Sequence, residues 1–446
     1  MRFNANKPWL LLGWGVSNKG AAKLMLAQNE TYYVFCDTVS DSIEKEVRSL
    51  NGHIIEKHFL NFQDYSGVIT SPGISPSHNI VAQALRQGVP VGTELDYSKR
   101  FIPKNSKVVA VTGTNGKSTV VSMISHGLNN LGLNATACGN IGQPLSDAIL
   151  SERKIEFFVV EISSYQIEYL SSLDQSLTVI TTLSQDHLER HKTFSNYIQI
   201  KLSLLDKGGT TLLLTHQALK TILSNNMSSY LPKTFLLIGS DGQCETISLK
   251  DVLCDDITLN LQNLLSIEDI NSSTASAAIS HSAGLPYNSA QDFSKYKPLP
   301  YRFEVIGLVD GHKIINDSKS TNFESTTAAL SRIKTPCLLL VGGISKGETF
   351  QELRTSLKIE SLILFGKSRI EIGSQLKDSP NFEVMTYENL ESALTALRKI
   401  YQDKPCPILF SPGCASFDEF KNFEDRGRFF RDSIRAIFPE IEKALE

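Results

Sequence analysis

The stretch VVAVTGTNGKSTVVSMISHGL, residues 108–128, is the most informative part of this chain of 446 residues. It begins with a continuous apolar run at 108–111, and a turn that contains Gly113 and Gly116 follows at once. After the turn, apolar residues recur at helical spacing up to Leu131, and Gly132 then marks a helix end. An apolar strand, a glycine turn and a helix in this order predict an α/β fold with a parallel sheet covered on both faces.

Two other regions repeat this order of elements. Near the start, WLLL at 9–12 precedes the turn GWG at 13–15. In the last third, apolar runs at 338–341, 362–365 and 408–410 each end at a turn with glycine. The sequence therefore predicts Rossmann-like domains at both ends, beside a central P-loop domain with a parallel sheet.

Proline residues indicate where the domains meet. They interrupt the patterns near residue 103 and again at 298–300. We therefore expect three domains, over residues 1–102, 103–298 and 299–446. Short β-like runs between about 205 and 265, such as TLLL at 211–214, predict a small accessory sheet in the central domain.

The composition excludes several classes of function. Lys and Arg total 44 and Asp and Glu total 47, so the formal net charge, 44 − 47, is −3. This balance argues against nucleic-acid and membrane-surface binding, and no apolar run approaches the roughly 18 residues that cross a bilayer. Seven scattered cysteines without a CxxC pair argue against disulfides and structural zinc. We expect a cytoplasmic monomer whose partners are small molecules, with no nucleic acid and no membrane.

The glycine turn of the central domain has the composition of a phosphate-binding loop. Backbone N–H groups at such a turn, together with the helix N-terminus, form a polyphosphate site. Lys117 would face the β- and γ-phosphate oxygens, and a hydroxyl of Ser118 or Thr119 would hold Mg²⁺. A glycine turn that binds no ligand is the alternative, because two residues separate the glycines here and four separate them in the usual G-x-x-x-x-G-K-S/T pattern. The expected nucleotide-binding residues are Gly113, Thr114, Asn115, Gly116, Lys117, Ser118 and Thr119.

VTGTNGKST at 111–119 resembles the ATP loop of the Mur ligases, which form the amide bonds of peptidoglycan precursors, and that of folylpolyglutamate synthase. These families share a reaction in which ATP phosphorylates a carboxylate and an amine displaces phosphate from the acyl phosphate. The resemblance implies an ATP-dependent amide ligase that uses ATP and two Mg²⁺ ions.

Two further segments extend the resemblance to the metal site. An apolar strand ends in Glu161, where a carboxylate faces the nucleotide crevice of a parallel sheet. By position alone Glu161 could equally be a surface acid, but VEISSYQ at 160–166 is similar to the family's magnesium-binding glutamate segment. SQDHLERH at 184–191 resembles the family's Asp-His segment, which implies that His187 is a ligand of a second magnesium. We expect His191 to be structural.

Lys201, in YIQIKL at 197–202, aligns with a lysine that is carbamylated in most Mur ligases. A carbamate is an anion that can bridge metal ions, whereas an ammonium cannot; a solvated helix lysine is the alternative. The implied metal ligands are Ser118, Glu161, His187 and Lys201 as its carbamate. The residues implied to act in catalysis are Lys117, His187, Lys201 and Arg302.

Three residues outside the loop are also implied to contact ATP. Asn271 lies where the family has two asparagines three residues apart, and the second is not clearly present here. Arg302, in LPYRFE at 299–304, resembles the arginine that reaches the γ-phosphate across the domain boundary, where a guanidinium suits developing charge. Asp317 matches the family's ribose-binding aspartate; an Asx turn is the alternative.

The last third resembles one branch of the family, which adds D-glutamate. The similar segments are DSKSTN at 317–322, GGISKG at 342–347 and FSPGCASFDEFKNFEDRG at 410–427. The Asp-Asn-Pro-Arg motif of the diaminopimelate-adding relatives is absent from the sequence. The implied D-glutamate site consists of Lys319, Thr321, Lys346, Ser416, Phe417 and Phe423. Cys414 has no histidine beside it in this segment, so we expect a packed thiol.

The first domain carries a G-x-G-x-x-N turn at 13–18, and Asp37 follows Gly13 by 37 − 13 = 24 residues. These features fit a dinucleotide site with Asp37 on a ribose. In the D-glutamate-adding branch the same turn holds UDP, and an NAD enzyme would leave the phosphate loop unexplained. The residues implied to contact the UDP-linked substrate are Gly15, Val16, Ser17, Asp37, Thr38, Gly73 and Asn140.

The resemblance therefore implies a ligase that adds D-glutamate to UDP-N-acetylmuramoyl-L-alanine through an acyl phosphate. We expect the third domain to close by a hinge near Pro298. Another Mur or folylpolyglutamate-type ligase with a different amine acceptor is one alternative. A non-catalytic nucleotide-binding relative is another, and the intact Lys117, Glu161, His187 and Lys201 argue against it.

Overall fold

Three sheets with helices between their strands make up the computed structural model, which describes residues 7–151, 153–209, 211–253, 267–377 and 379–442. The predicted α/β class is confirmed. One compact unit ends at Tyr296 and contains the first two sheets; a second begins at Lys297 and contains the third. Because the first two sheets share one unit, the domain boundary at residue 103 stays a prediction. Among the described helices, none has the length and apolar character needed to span a membrane.

The first sheet is Rossmann-like, as predicted, and all of its strands are parallel. Its strands are β1 (Trp9–Leu12), β2 (Tyr32–Phe35), β3 (His53–Ile54), β4 (Val68–Thr70) and β5 (Val91–Gly92). Its helices are α1 (Val16–Ala27), α2 (Asp41–Ser49), α3 (Asn79–Arg86) and α4 (Glu94–Ser98). The strand order β3-β2-β1-β4-β5 reverses direction between β1 and β4, and such a reversal opens a ligand crevice. Every residue of β1 is buried, because helices cover both faces.

The second sheet has seven strands in the order β12-β11-β10-β9-β6-β8-β7. They are β6 (Lys107–Thr112), β7 (Ala135–Gly139), β8 (Phe157–Glu161), β9 (Leu177–Ile180), β10 (Thr211–Thr215), β11 (Thr234–Ile238) and β12 (Cys244–Ser248). The helices are α5 (Lys117–Asn130), α6 (Leu145–Ile149), α7 (Ser164–Tyr169), α8 (Leu188–His191), α9 (Phe194–Leu202), α10 (His216–Ser224), α11 (Leu249–Leu253) and α12 (Ile267–Ala283). The strand–turn–helix predicted from 108–128 is confirmed as β6 and α5.

The separate accessory sheet predicted between about 205 and 265 is wrong for the described residues. The strands there extend the main sheet: β10 pairs in parallel with β9, β11 pairs with β10, and only the edge strand β12 is antiparallel. The reason lies in the side chains, because Leu212, Leu213 and Leu214 are all buried and need cover on both faces of the strand. The part of the prediction at 254–265 lies outside the described residues.

The third sheet, in the second unit, has the order β13-β14-β18-β15-β16-β17. Its strands are β13 (Glu304–Val309), β14 (His312–Asn316), β15 (Cys337–Gly342), β16 (Ile359–Phe365), β17 (Glu383–Thr386) and β18 (Ile408–Gly413). Its helices are α13 (Phe323–Ser331), α14 (Arg369–Leu376), α15 (Leu390–Asp403) and α16 (Phe423–Ile437). The β13–β14 hairpin is antiparallel and the other pairings are parallel. The apolar runs predicted at 338–341, 362–365 and 408–410 are all strands of this sheet.

Candidate active site

The turn between β6 and α5 has the backbone that a phosphate loop requires. Gly113 and Gly116 have φ angles of +142° and +84°, a range that favours glycine. A Cβ on Gly113 would overlap the hydroxyl of Thr181, and one on Gly116 would lie 2.6 Å from Asn271 Oδ1. Conformation and space therefore both require glycine here. The turn lies at the N-terminus of α5, where backbone N–H groups favour a bound phosphate.

Residues that follow β9 hold this loop in place. Thr114 N–H donates to Thr182 O (2.7 Å), and Asn115 N–H donates to the Thr182 hydroxyl (2.9 Å). The Thr181 hydroxyl donates to Asn115 O (2.6 Å). Neither threonine was predicted from the sequence, because their contacts depend on the pairing of β9 with β6. The one available signal was a pair of hydroxyl residues directly after an apolar strand.

Two predicted lysines meet at the carbonyl of Gly113. Lys117 Nζ donates to Gly113 O (3.0 Å) and to Thr114 O (2.7 Å). Lys201 Nζ donates to the same Gly113 O (2.7 Å), and Lys201 is only 1% exposed. Desolvation, followed by the charge of Lys117, lowers the pKa of Lys201 well below its usual value, although two nearby carboxylates oppose the shift. Lys201 is therefore a buried amine and not a solvated helix lysine.

Glu161, at the end of β8, lies directly beside the loop and is 2% exposed. Its carboxylate accepts hydrogen bonds from Ser118 Oγ (2.5 Å) and from Asn140 Nδ2 (3.0 Å). The three residues come from the carboxyl ends of the neighbouring strands β6, β8 and β7. Hydroxyl, carboxylate and amide oxygens are ligands that Mg²⁺ prefers, so this donor set fits a magnesium ion. Glu161 is therefore not a surface acid.

His187 precedes α8 and has a left-handed φ of +55°. Its Nδ1 lies 3.1 Å from the Tyr165 hydroxyl, and its backbone N–H donates to Asp186 Oδ1 (2.9 Å). Its side chain is 35% exposed. His191 is buried, with Nε2 2.9 Å from the Ser164 hydroxyl, so the prediction that it is structural is confirmed. In the part of the chain that the structure describes, no three His, Cys, Asp or Glu side chains form a metal-binding group.

Asn271 lies on α12 against the phosphate loop, with Oδ1 close to Gly116. It is 8% exposed. Three residues later, where the family has its second asparagine, the Thr274 hydroxyl donates to Ile270 O (2.7 Å) within the same helix. The hydroxyl at position 274 is therefore used within its own helix, whereas the side-chain amide of Asn271 faces the phosphate loop.

The crevice of the first sheet holds a pocket of about 280 Å³. Its lining includes Gly13, Asp37, Thr38 and Ile74. The Asp37 side chain is 71% exposed, and one of its oxygens lies 3.3 Å from His78 Nε2. Six of the seven residues predicted to contact the UDP-linked substrate lie at the strand ends around this crevice: Gly15, Val16 and Ser17 where α1 begins, Asp37 and Thr38 after β2, and Gly73 after β4. The seventh, Asn140, follows β7 of the second sheet and donates to Glu161, so it does not line this crevice.

Asn18, which replaces the third glycine of a dinucleotide turn, has a structural role that the sequence analysis missed. It is fully buried, and its Nδ2 donates to Leu12 O (3.0 Å), Gly13 O (2.8 Å) and Ile69 O (3.3 Å). The side chain therefore joins the ends of β1 and β4 and supports the turn, so a glycine is not needed at this position.

In the second unit, three neighbouring strands place predicted D-glutamate residues at one edge. Lys319 follows β14, Ser416 follows β18 and Lys346 follows β15, and these strands are adjacent and parallel. The loops after β15 and β18 also pair with each other, through two backbone hydrogen bonds of 2.8 and 2.9 Å. Lys319 Nζ lies 4.5 Å from the ring centroid of Phe423. Phe417 is 71% exposed, so it lies at the rim of this edge.

Asp317, which directly follows β14, connects the segment before β13 to β18 through hydrogen bonds. Its carboxylate accepts from the Ser411 hydroxyl (2.8 Å) and from Phe303 N–H (3.0 Å), beside Arg302. The carboxylate accepts no N–H from its own loop within the described contacts, so an Asx turn does not account for it. Desolvation raises the pKa of Asp317 to about 6, against the lowering effect of these hydrogen bonds and of Arg302.

Arg426, on α16, is fully buried, and the sequence alone predicted no role for it. Its guanidinium donates to Ser318 O (2.8 Å), Cys414 O (2.9 Å) and the Ser318 hydroxyl (3.1 Å). Desolvation lowers its pKa to about 10. It therefore fixes two of the loops that carry the predicted D-glutamate residues. Cys414 is fully buried, and burial raises the pKa of its thiol, so the predicted packed thiol is confirmed.

Comparisons with known sequences agree with this arrangement. Residues 111–253 match the Mur ligase middle domain. Over 465 residues the chain is 32% identical to the UDP-N-acetylmuramoylalanine–D-glutamate ligase of Prochlorococcus marinus strain SARG, covering 95% of this chain and 96% of the relative. It is 29% identical to the ligase of the same name from Thermoanaerobacter pseudethanolicus, covering 97% and 98%.

Solved structures share the fold at lower identity. The MurF ligase of Thermotoga maritima, determined in complex with ADP, has a TM-score of 0.56 and 15% identity, covering 91% of this chain and 96% of that chain. The UDP-N-acetylmuramate–alanine ligase MurC of the same organism has a TM-score of 0.55 and 15% identity, covering 96% and 99%. At this identity the likeness concerns the fold alone.

Proposed function

Because this chain belongs to the Mur ligase family, we propose that it joins D-glutamate to UDP-N-acetylmuramoyl-L-alanine and converts ATP to ADP and phosphate as it does so. The product is a peptidoglycan precursor. Similarity over nearly the whole length to ligases with this name supports the proposal. The observation that carries the proposal is the convergence on the glycine loop of four side chains: Lys117, Lys201, Glu161 and Ser118. A non-catalytic nucleotide-binding protein would not need a metal-binding carboxylate and two lysines at this loop.

The proposed reaction has two steps. An oxygen of the L-alanyl carboxylate attacks the γ-phosphorus of ATP, so ADP leaves and an acyl phosphate forms. The amine of D-glutamate then attacks the acyl carbon, phosphate leaves with the former carboxylate oxygen, and the amine loses a proton. Lys117 and Arg302 are proposed to stabilise the charge on the transferred phosphoryl group. Such catalysis is mostly positioning and electrostatics.

Magnesium is proposed to be held by Ser118, Glu161 and His187, with Lys201 as a carbamate. When bound, Mg²⁺ neutralises phosphate charge. The lowered pKa of Lys201 supports the carbamate, because only a neutral amine can react with carbon dioxide. The remaining ATP contacts are proposed for Asn271 at the loop and for Asp317 on ribose.

The D-glutamate site is proposed at the edge where β14, β18 and β15 end. Two carboxylates require positive charge and N–H or O–H donors, and Lys319, Lys346 and the Ser416 hydroxyl supply them. Thr321 adds a hydroxyl, and Phe423 and Phe417 add apolar walls. The contact of Lys319 with the ring of Phe423 supports this role. The cytoplasmic location and the monomeric state also remain proposals.

The experiment is an assay of phosphate release with ATP, Mg²⁺ and UDP-N-acetylmuramoyl-L-alanine. D-glutamate, L-glutamate, L-alanine, L-lysine and diaminopimelate are offered separately. We expect release only with D-glutamate. Release with another amine would retain the ligase chemistry and overturn the proposed acceptor site. No release with any amine, despite ATP binding, would favour a non-catalytic nucleotide-binding protein.

A further inference from the structure

Arg190, a partly buried residue on α8, links the second sheet to the first within one compact unit. Its side chain is 10% exposed. Its guanidinium donates to three consecutive carbonyls of the loop at 72–74: Pro72 (3.4 Å), Gly73 (3.1 Å) and Ile74 (2.9 Å). Because the N–H groups of arginine lie in one fixed plane, these contacts set the orientation of the loop as well as its position.

Glu168, on α7, holds the guanidinium in this orientation. Its Oε2 accepts from Arg190 Nε (3.0 Å) and Nη2 (2.6 Å). Glu168 is 11% exposed, and its other oxygen lies 3.2 Å from His191 Nδ1. Desolvation opposes its ionisation, but the nearby His191 and the hydrogen bonds and charge of Arg190 outweigh it and keep the pKa of Glu168 below its usual value. The next residue, Tyr169, donates from its hydroxyl to Ile74 O (2.8 Å).

The other face of the same loop forms a wall of the pocket in the first sheet. Ile74 lines the pocket of about 280 Å³ together with Gly13 and Asp37. The loop is anchored on that side by Ser71 N–H, which donates to Leu12 O (2.9 Å). A shift of the 72–74 carbonyls would therefore move a pocket wall.

Arg190 also lies next to the predicted catalytic histidine. His187 directly precedes α8, three residues before Arg190. Arg190 Cζ lies 4.7 Å from the ring centroid of Tyr165, whose hydroxyl is 3.1 Å from His187 Nδ1. The pocket wall and the histidine are thus held by the same few side chains.

We propose that Arg190 is a positioning residue that couples the UDP pocket to the phosphoryl-transfer site. It holds the loop at 72–74 against α8, so the nucleotide end of the substrate is bound at a fixed distance from His187. Both effects rest on the proposed function, and the binding of UDP is measured without turnover, so that the two can fail separately. The contacts of Arg190 go to Glu168, Tyr165 and the loop at 72–74 and not to the phosphate loop, so we expect ATP binding to change less than UDP binding when Arg190 is replaced.

The test compares full-length Arg190→Lys, Glu168→Gln and wild type. Arg190→Lys keeps the charge and loses the planar set of donors, whereas Glu168→Gln keeps the size of the side chain and loses its charge. Arg48→Lys is the matched control, because Arg48 forms an exposed pair with Glu44 in the same unit. The measurements are the Kd of UDP alone by calorimetry, the KM of each substrate, kcat, and the thermal unfolding midpoint.

For Arg190→Lys we expect the Kd of UDP and the KM of the UDP-linked substrate to rise about tenfold or more, since several charge-assisted, partly buried hydrogen bonds are lost. The KM of ATP should change less than about twofold, because the phosphate loop is untouched. Glu168→Gln should show the same pattern with a smaller rise, and Arg48→Lys should match wild type.

A wild-type Kd of UDP in Arg190→Lys would overturn the proposal, as would an equal rise in the KM of every substrate. If Arg190→Lys does not fold, Glu168→Gln decides, and unchanged UDP affinity in that folded variant overturns the proposal. Wild type that binds UDP without turnover would contradict the proposed function alone, because the UDP comparison still holds. Wild type that does not bind UDP would overturn the present inference.

Discussion

The glycine turns at 113–116 and 13–15 follow interior strands that pair in parallel with both neighbours, yet the protein supports the two turns differently. The first is held by Thr181 and Thr182, which follow the adjacent strand of the same sheet. The second faces a loop at 72–74 that Arg190 holds from the other sheet. The first site is therefore built by neighbours within a sheet, whereas the second is supported within its sheet by Asn18 and depends in addition on contacts between two sheets.

The largest effect that distinguishes the two sites is expected from Lys117→Met. It removes the ammonium from the phosphate loop, and loss of one charge-stabilising donor lowers kcat by about 10³-fold. UDP affinity should stay at the wild-type value, because Lys117 lies outside the first-sheet pocket. Phosphate release and UDP calorimetry provide the two measurements. Lys107→Met, an exposed position at the start of β6, is the control. A decrease in kcat below about tenfold would contradict the role of Lys117.

Alanine substitutions in the two turns should differ in stability. Gly113→Ala forces a side chain into a positive φ and against Thr181, which costs about 4 kcal/mol of unfolding free energy. Gly15 has a φ of −85°, and an added Cβ would lie 3.5 Å from Ser71 Oγ, an ordinary contact. Gly15→Ala should therefore leave the unfolding free energy unchanged. Denaturant unfolding of both variants checks this, and equal losses would contradict the comparison.

The contact between the two sheets should depend on pH through Glu94. This fully buried carboxylate on α4 accepts from Ser146 N–H of α6 (2.5 Å) and from the Ser98 hydroxyl (2.9 Å). Desolvation raises its pKa from 4.5 to about 7 despite these bonds. The folded state then holds the proton more tightly than the unfolded state, so the contribution of Glu94 to stability is greatest below pH 4.5. It falls as the pH rises through about 7.

The loss of unfolding free energy due to Glu94 is at most about 3 kcal/mol, because each unit of pKa difference between the folded and unfolded states corresponds to about 1.4 kcal/mol. In Glu94→Gln the decrease in unfolding free energy between pH 4.5 and 7 should be smaller by this amount. Glu44→Gln, at an exposed position of the same unit, should show the same decrease in unfolding free energy with pH as wild type. A wild-type slope in Glu94→Gln, measured by denaturant unfolding across this pH range, would show that Glu94 is not the responsible group.

The smallest effect is expected at the rim of the first pocket. His78 pairs with the largely exposed Asp37 at 3.3 Å, and exposed pairs contribute less than about 1 kcal/mol. His78→Ala should therefore raise the Kd of UDP less than about fivefold, as measured by calorimetry. If His78→Ala lowered the affinity for UDP more than Arg190→Lys does, the pair at the rim, and not the contact between the two sheets, would determine UDP binding.

The sequence predicted the phosphate site better than the pocket, and the reason is the range of the contacts. The strand, turn, lysine and hydroxyl of 108–119 are contiguous, so spacing alone placed them correctly. Glu161 was placed because the carboxyl ends of parallel strands share one edge. The pairing of β10 with β9 was missed, since burial of Leu212 to Leu214 on both faces is decided by helices that lie elsewhere in the chain.

Residues that act through distant partners gave little signal. Three such residues donate to backbone carbonyls: Asn18, Arg190 and Arg426. Because every residue has a backbone carbonyl, the residue type at the accepting position does not indicate the contact. The carbonyls that accept from Arg190 are 116 to 118 residues away in the chain. Such residues are visible only once the sheets are placed beside one another.

The most direct test of the central claim follows an oxygen atom. UDP-N-acetylmuramoyl-L-alanine labelled with oxygen-18 in its carboxylate is turned over with ATP and D-glutamate, and the released phosphate is analysed by mass spectrometry. Activation of the carboxylate by phosphorylation predicts that each phosphate carries one labelled oxygen, because phosphate leaves with the former carboxylate oxygen. Phosphate without label, at normal yield of the amide, would contradict the acyl-phosphate reaction.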